Sequence, residues 1–202
     1  MDRFSICWPF VLLMEAPNPT NWSSPVNYSN DPHDPGGATM EGVIQTEYDR
    51  YREGRGLPVQ DVRLITRAEG ADIYTNSYWL PRSPGLPAGF DLSWFDTDVN
   101  CGPGGATRIL QSALGVASDG QWGPITQAAV DAIADVAAAI RAFTAAREAY
   151  YRRLSGWQYF GPGWIHRAVA INQDSLSMLT NLRGLRIARP FVKTVKAYPE
   201  AA

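Results

Sequence analysis

Histidine and cysteine are both scarce in this chain: of 202 residues, only His33 and His166 are histidine and only Cys7 and Cys101 are cysteine. The cysteines lie far apart with no C-x-x-C spacing, so no zinc pattern can be assembled from these four side chains. Two free, buried thiols are expected, with a bridge between them as the alternative. Net charge is small, -2, and no basic stripe is visible, which argues against a dedicated nucleic-acid binder. Long apolar runs are missing as well. The run Phe4 to Met14 falls short of the roughly 20 apolar residues that cross a bilayer, and Glu15-Ala16-Pro17 after it is not a small-x-small cleavage site. Neither stable membrane insertion nor an export signal is expected. Alternation of period two, the mark of a half-buried strand, is also rare, so the fold is expected to be mainly α.

What is present begins with that apolar run. It has no polar face, which predicts a helix buried on most sides that delivers Glu15 from its C-terminal end into the body of the protein. Pro17, Pro19 and Pro25, with Asn and Ser between them, then predict an extended loop to Asn30. Asp31 to Thr39 reads as a tight double turn, with Pro32 and Pro35 fixing φ and Gly36-Gly37 permitting a close backbone approach. Helices are predicted over Glu41–Glu53, from a capping box at Thr66-Arg67-Ala68-Glu69 toward Pro81, and over Phe90–Cys101, broken by Gly102-Pro103-Gly104-Gly105. Others follow over Ala106–Gly115, from Pro124 to about Leu154 as one long helix or two in succession, and over Ile165–Leu179, with Gly156–Trp164 as an aromatic-Gly loop.

Glycoside hydrolysis needs an acid held in an apolar setting, where its pKa rises, and a second polar group that handles water or the oxocarbenium charge. Glu15 at the end of an apolar helix, facing a loop that holds Asp31, Asp34 and Thr39, supplies those residue types. A capped surface Glu and an aspartate that merely braces its turn explain the same residues, and composition alone favours that plainer account. The seven Trp and nine Tyr fit a carbohydrate cleft or ordinary core packing equally well.

The run Glu15 … Asn30-Asp31-Pro32-x-Asp34-Pro35-Gly36-Gly37-x-Thr39-x-x-Gly42 resembles the signature of the glycoside hydrolase 108 family, bacterial and phage N-acetylmuramidases. Thr66-Arg67-Ala68-Glu69-Gly70-Ala71-x-Ile73-Tyr74, Tyr78-Trp79-x-Pro81 and Phe95-Asp96-Thr97-x-Val99-Asn100-x-Gly102 follow in the family's order. Leu110-Gln111-x-x-Leu114-Gly115, Asp119-Gly120-x-x-Gly123-Pro124-x-Thr126 and Phe160-Gly161-x-Gly163-Trp164 are similar to the peptidoglycan-binding domain attached to these enzymes. There are two departures. The family's Gly-Gly-Tyr after its glutamate is replaced by Ala16-Pro17-Asn18, with Pro17 to Val26 as an insertion, and Leu80 stands where the family often has an acidic residue.

The resemblance implies a lysozyme-like helical catalytic lobe over 1–100, a closely packed helical peptidoglycan-binding lobe over 101–190 and a tail over 191–202. It implies Glu15 as the acid that protonates the glycosidic oxygen, Asp34 as the group that orients or deprotonates water, and Thr39 as a residue that helps hold that water. Asp31, Tyr28, Trp79, Asn100 and Trp122 are the expected substrate contacts. The implied partner is bacterial peptidoglycan, with phage tail or capsid proteins added if the chain travels in a virion. No metal or organic cofactor is implied, since an acid and a water suffice. Two readings follow: a phage endolysin or virion-borne lysin that starts in the host cytoplasm, and a wall-binding or virion structural relative that lost its chemistry through the change behind Glu15.

Overall fold

The structure is a computed structural model that describes residues 2–30 and 37–181. Asp31 and Asp34 lie outside the described residues, as does the expected tail. Among the described residues the chain forms seven α-helices and three two-residue strands, and it divides into two compact units, the first ending at Ser77 and the second beginning at Tyr78.

In the first unit, helix α1 (Arg3–Glu15) starts at Asp2, whose carboxylate accepts from the Phe4 amide at 3.2 Å. Phe4, Cys7, Trp8, Val11 and Leu12 are buried, at helical spacing. Ser5, Pro9 and Leu13 are exposed, so the burial expected on most sides is a single stripe. The proline is tolerated because it sits on the open side. Residues 16–27 then fold as successive tight turns, Asn21 N–H to Asn18 C=O, Ser24 N–H to Asn21 C=O and Asn27 N–H to Ser24 C=O. Trp22 anchors this segment. Its Nε1 donates to the Ile65 carbonyl at 2.8 Å, its ring lies where a β-carbon on Gly70 would have to be, and Trp8 packs beside it at 5.8 Å.

Strands β1 (Tyr28–Ser29), β2 (Thr39–Met40) and β3 (Val43–Ile44) form an antiparallel sheet in that order, with Tyr28 opposite Met40 and Thr39 opposite Ile44. β2 and β3 are joined by two residues, Glu41 and Gly42, with φ of 55° and 80°. Left-handed φ at both positions is what a type I′ hairpin turn demands. This corrects the expected helix over Glu41–Glu53: α2 is Gln45–Glu53, because a chain that turns back at Glu41-Gly42 cannot already be helical there. Helix α3 (Arg67–Tyr74) has the expected capping box, with Thr66 and Glu69 bonded reciprocally. Tyr48 on α2 is buried and donates to the Glu69 carboxylate at 2.9 Å, which also pairs with Arg52 at 2.6 Å. One carboxylate therefore caps α3 and ties it to α2.

In the second unit, helix α4 (Phe90–Ala113) is interrupted only at Gly102, whose φ of 68° and ψ of 165° suit a residue without a β-carbon. The break expected over Gly102–Gly105 is thus one residue wide, and Pro103 opens the next helical segment, where its missing N–H costs nothing. The boundary expected between 100 and 101 falls inside α4. Helices α5 (Pro124–Asp131) and α6 (Val136–Tyr151) are separated at Asp135, which caps α6 by accepting from the Ala138 amide at 2.9 Å. Helix α7 (Trp157–Asn181) corrects the expected loop over Gly156–Trp164. Gly161 lies against the Trp157 indole with no room for a β-carbon, and Pro162 falls within the first two turns. The glycine is a packing device of the helix, and the exposed proline lies near its start.

Phe90, Trp94, Ile109, Leu110, Val130, Ile140 and Phe143 form the core of this unit. Beside it Asp96, fully buried, is held by Arg147 at 2.7 Å and by Arg167 through two N–H groups at 2.8 and 3.0 Å. Burial alone would push the Asp96 pKa up, but the two guanidiniums outweigh it and keep the carboxyl below its ordinary range. Neither cysteine is in a disulfide, and Cys7 is buried and Cys101 half-buried. No described helix is long and apolar enough to cross a membrane.

Candidate functional site

Glu15 is the last residue of α1 and is half-buried. The chain leaves the helix at Ala16 in an extended conformation, so the Glu15 side chain stands at the helix end against the β2–β3 turn. A β-carbon on Gly42 would lie 3.0 Å from the Glu15 Cβ. Thr39 on β2 is half-buried, with its hydroxyl donating to the Gly37 carbonyl at 3.2 Å. Glu15 and Thr39 are therefore carried by adjoining elements, α1 and the hairpin it touches. Tyr28, opposite Met40 on β1, is half-buried with the Arg63 guanidinium 5.3 Å from its ring centre.

A second carboxyl occupies this hairpin. Glu41 is fully buried, and its Oε1 accepts from the Asn27 side-chain amide at 2.6 Å. Its Oε2 is buried with no hydrogen-bond partner. Burial raises the Glu41 pKa to about 7, against the opposing effects of the Asn27 bond and the Arg67 charge. Asn27 also takes the Asn18 amide on its Oδ1 at 2.7 Å and reaches the Asn18 and Asn21 carbonyls at 2.9 and 3.1 Å. The Tyr74 hydroxyl donates to the Glu41 carbonyl at 3.0 Å. Sequence reasoning missed Glu41 and Asn27. The available signal was the pair Glu41-Gly42 between apolar Met40 and Val43, a hairpin pattern hidden under the helical spacing that begins at Val43.

In the second unit the expected contacts are differently disposed. Trp79 is 3% exposed and meets the Phe95 ring edge-on at 5.3 Å, so its indole is part of the core and offers no face to a sugar. The Asn100 side-chain oxygen accepts from the Tyr151 hydroxyl at 2.5 Å and from Arg147 at 3.4 Å, which commits it to the buried polar cluster around Asp96. Trp122 is half-buried, edge-on to Trp94 at 5.0 Å, with the Arg82 guanidinium 5.1 Å from its ring centre and its Nε1 donating to Gln127 at 2.9 Å. The neighbouring motif builds its own turn. Gln111 reaches Asp119 at 2.7 Å and accepts from the Gly120 amide at 2.8 Å, while Asp119 also accepts from the Gln121 amide at 2.8 Å.

Asp98 on α4 is buried, with Oδ1 unpartnered and its pKa raised to about 7 by burial, against the charge of Arg82. Among the described residues no three His, Cys, Asp or Glu side chains converge as a metal site would require.

A family model described as glycosyl hydrolase 108 matches residues 25–102, and one described as a predicted peptidoglycan domain matches residues 105–169. Glu15 lies ahead of the first matched stretch. Among solved structures, that of SagA from Brucella abortus is 31% identical, with a TM-score of 0.70, over 87% of this chain and 94% of that one. No curated protein matches.

Proposed function

The chain belongs to the glycosyl hydrolase 108 family, and from that membership we propose that it is an N-acetylmuramidase, cleaving the β-1,4 bond between N-acetylmuramic acid and N-acetylglucosamine. At the coarser level it is a peptidoglycan-directed glycoside hydrolase that carries a peptidoglycan domain after the catalytic one. The observation that carries the finer reading is the position of Glu15, half-buried at the end of α1 and in contact with the hairpin that holds Thr39.

In this mechanism the Glu15 carboxyl gives its proton to the glycosidic oxygen as the bond to the muramic acid anomeric carbon breaks, and positive charge develops on the ring. Water completes the hydrolysis at that carbon, with Thr39 as a hydroxyl able to hold it and Asp34 as the group that orients or deprotonates it. The proposal extends to a role in phage lysis, as an endolysin or a virion-borne lysin.

One observation favours a second reading, a wall-binding or structural relative without chemistry: the family match begins at Pro25, so the candidate acid is reached only across the inserted segment. Muropeptide release from purified peptidoglycan by the wild type and by Glu15→Gln separates the two. The muramidase reading expects reducing N-acetylmuramic acid ends from the wild type and a loss of about 10²–10⁴-fold in Glu15→Gln. Wall binding by both proteins with no product from either would establish the second reading.

A further inference from the structure

We propose that Glu41 is a positioning residue of this hydrolase: its buried carboxyl, through Asn27, fastens segment 16–27, which contains the inserted Pro17–Val26, to the β2–β3 turn against which Glu15 packs. The inference rests on the reading of Glu15 as the acid.

The backbone supplies the first argument. Among the described residues Glu41 is the one non-glycine residue with positive φ, 55°, and it occupies the first position of a two-residue I′ turn, where Asn, Asp or Gly are at ease. A longer side chain there is strained, and strain of this kind persists where the surroundings over-determine the residue. The second argument is burial. The side chain does not leave the turn for solvent, as a turn glutamate ordinarily would. It goes inward, leaves Oε2 without a partner and spends Oε1 on Asn27. An Asn-Gly turn would relieve both penalties, so what the glutamate adds is reach: its carboxyl meets a side chain that an asparagine at this position is too short to meet.

What it reaches is the organiser of the insertion. Asn27 gathers Asn18 and Asn21 through its side chain, and its carbonyl accepts from the Glu41 amide at 3.3 Å, so the two residues are joined through backbone and side chain alike. On the other side of the same turn, the Tyr74 hydroxyl holds the Glu41 carbonyl and Gly42 touches Glu15. The segment that interrupts the family pattern is thereby made part of the wall behind the acid.

The titratable or charged groups facing this turn are Arg67 and Tyr74 from α3 and Glu15 from α1. With a midpoint of about 7, the carboxyl is neutral in mildly acidic solution and ionised above neutrality, where its desolvated charge favours opening of the segment to water.

The test is carried out on the full chain, with Glu41→Gln and Glu41→Asn beside the wild type, between about pH 5 and pH 9. The side-chain amide of Asn27 is followed by ¹⁵N–¹H correlation spectra, and kcat and KM for muropeptide release are measured separately. In the wild type the Asn27 amide is expected to shift with a midpoint near 7, and kcat to fall above it while KM holds. Glu41→Gln is expected to abolish both transitions. Glu41→Asn, which suits the turn but falls short of Asn27, is expected to lower kcat by ~10-fold through misplacement of Glu15. An Asn27 side-chain amide that keeps its wild-type shift in Glu41→Asn overturns the proposal whatever the activity, as does a Glu41→Asn protein with wild-type kcat and pH profile. A wild type that releases no product at any pH while its Asn27 amide titrates overturns the muramidase reading, and with it the positioning role, but leaves the fastening intact.

Discussion

Gly42 and Glu15 are in contact so close that a single added methyl group on the glycine would sit 3.0 Å from the Glu15 β-carbon. Gly42 also has a φ of 80°, so Gly42→Ala is penalised twice, by about 1–2 kcal/mol for the left-handed backbone and again by displacement of Glu15 and the Tyr74 hydroxyl. Muropeptide release should fall more steeply than the melting temperature, because the displaced side chain is the candidate acid. A Gly42→Ala protein with full activity would show that the position of Glu15 does not depend on this contact.

Stability should decline as pH rises toward neutrality. Glu41 and Asp98 have folded-state pKa values of about 7, against ordinary values of 4.5 and 3.8 for these carboxyls. A raised carboxyl pKa means that the unfolded chain loses its proton first, so stability is greatest below the unfolded value, declines up to about pH 7 and levels off above it. For Glu41 alone the decline is on the order of 2–3 kcal/mol. Urea unfolding at intervals between about pH 5 and pH 8 reads this slope, and Glu41→Gln should remove the Glu41 share of it.

Asp96 makes a prediction of the opposite sign. Its carboxyl is held below the ordinary range by Arg147 and Arg167, so its contribution is present above the unfolded pKa and is lost as pH falls through the folded value. Asp96→Asn leaves two buried guanidiniums without their counter-ion and should cost about 3–5 kcal/mol in urea unfolding at neutral pH. A cost near zero would mean that the arginines find other partners.

Trp22 tests the inserted segment directly. Its indole fills the space above Gly70 and bonds the Ile65 carbonyl, so Trp22→Ala should cost about 3–5 kcal/mol. Segment 16–27 should then become the first site of proteolytic nicking. Cleavage elsewhere at the wild-type rate would show that Asn27 holds the segment unaided.

The elements that could be read from the sequence are those whose signal is local. The Thr66 capping box and Pro124 at a helix start are written in a few adjacent residues, and both helices begin there. Gly156–Trp164 is opaque because glycine and proline ordinarily break helices, whereas Gly161 is required by the bulk of Trp157. Glu41 was opaque for a different reason. The spacing from Val43 through Tyr51 is helical, and nothing in a linear pattern shows that Asn27 waits opposite a glutamate 14 residues later. At the candidate site Glu15 was legible as the end of an apolar helix and Thr39 as part of the loop motif. Trp79 and Asn100 shared the family's order, yet one is packed against Phe95 and the other bonded to Tyr151, contacts that only the folded chain brings about.

The fit of Trp22 over Gly70 has a consequence for descent. A relative that carried the inserted loop but had alanine at position 70 would hold a tryptophan with nowhere to go, and one that lost the loop while keeping the glycine would bare the floor on which the indole rests. Gly70 belongs to the Thr66–Ala71 run that resembles the family's pattern, so the seat for the indole does not arise with the loop; the loop brings Trp22 to a place the framework already leaves open.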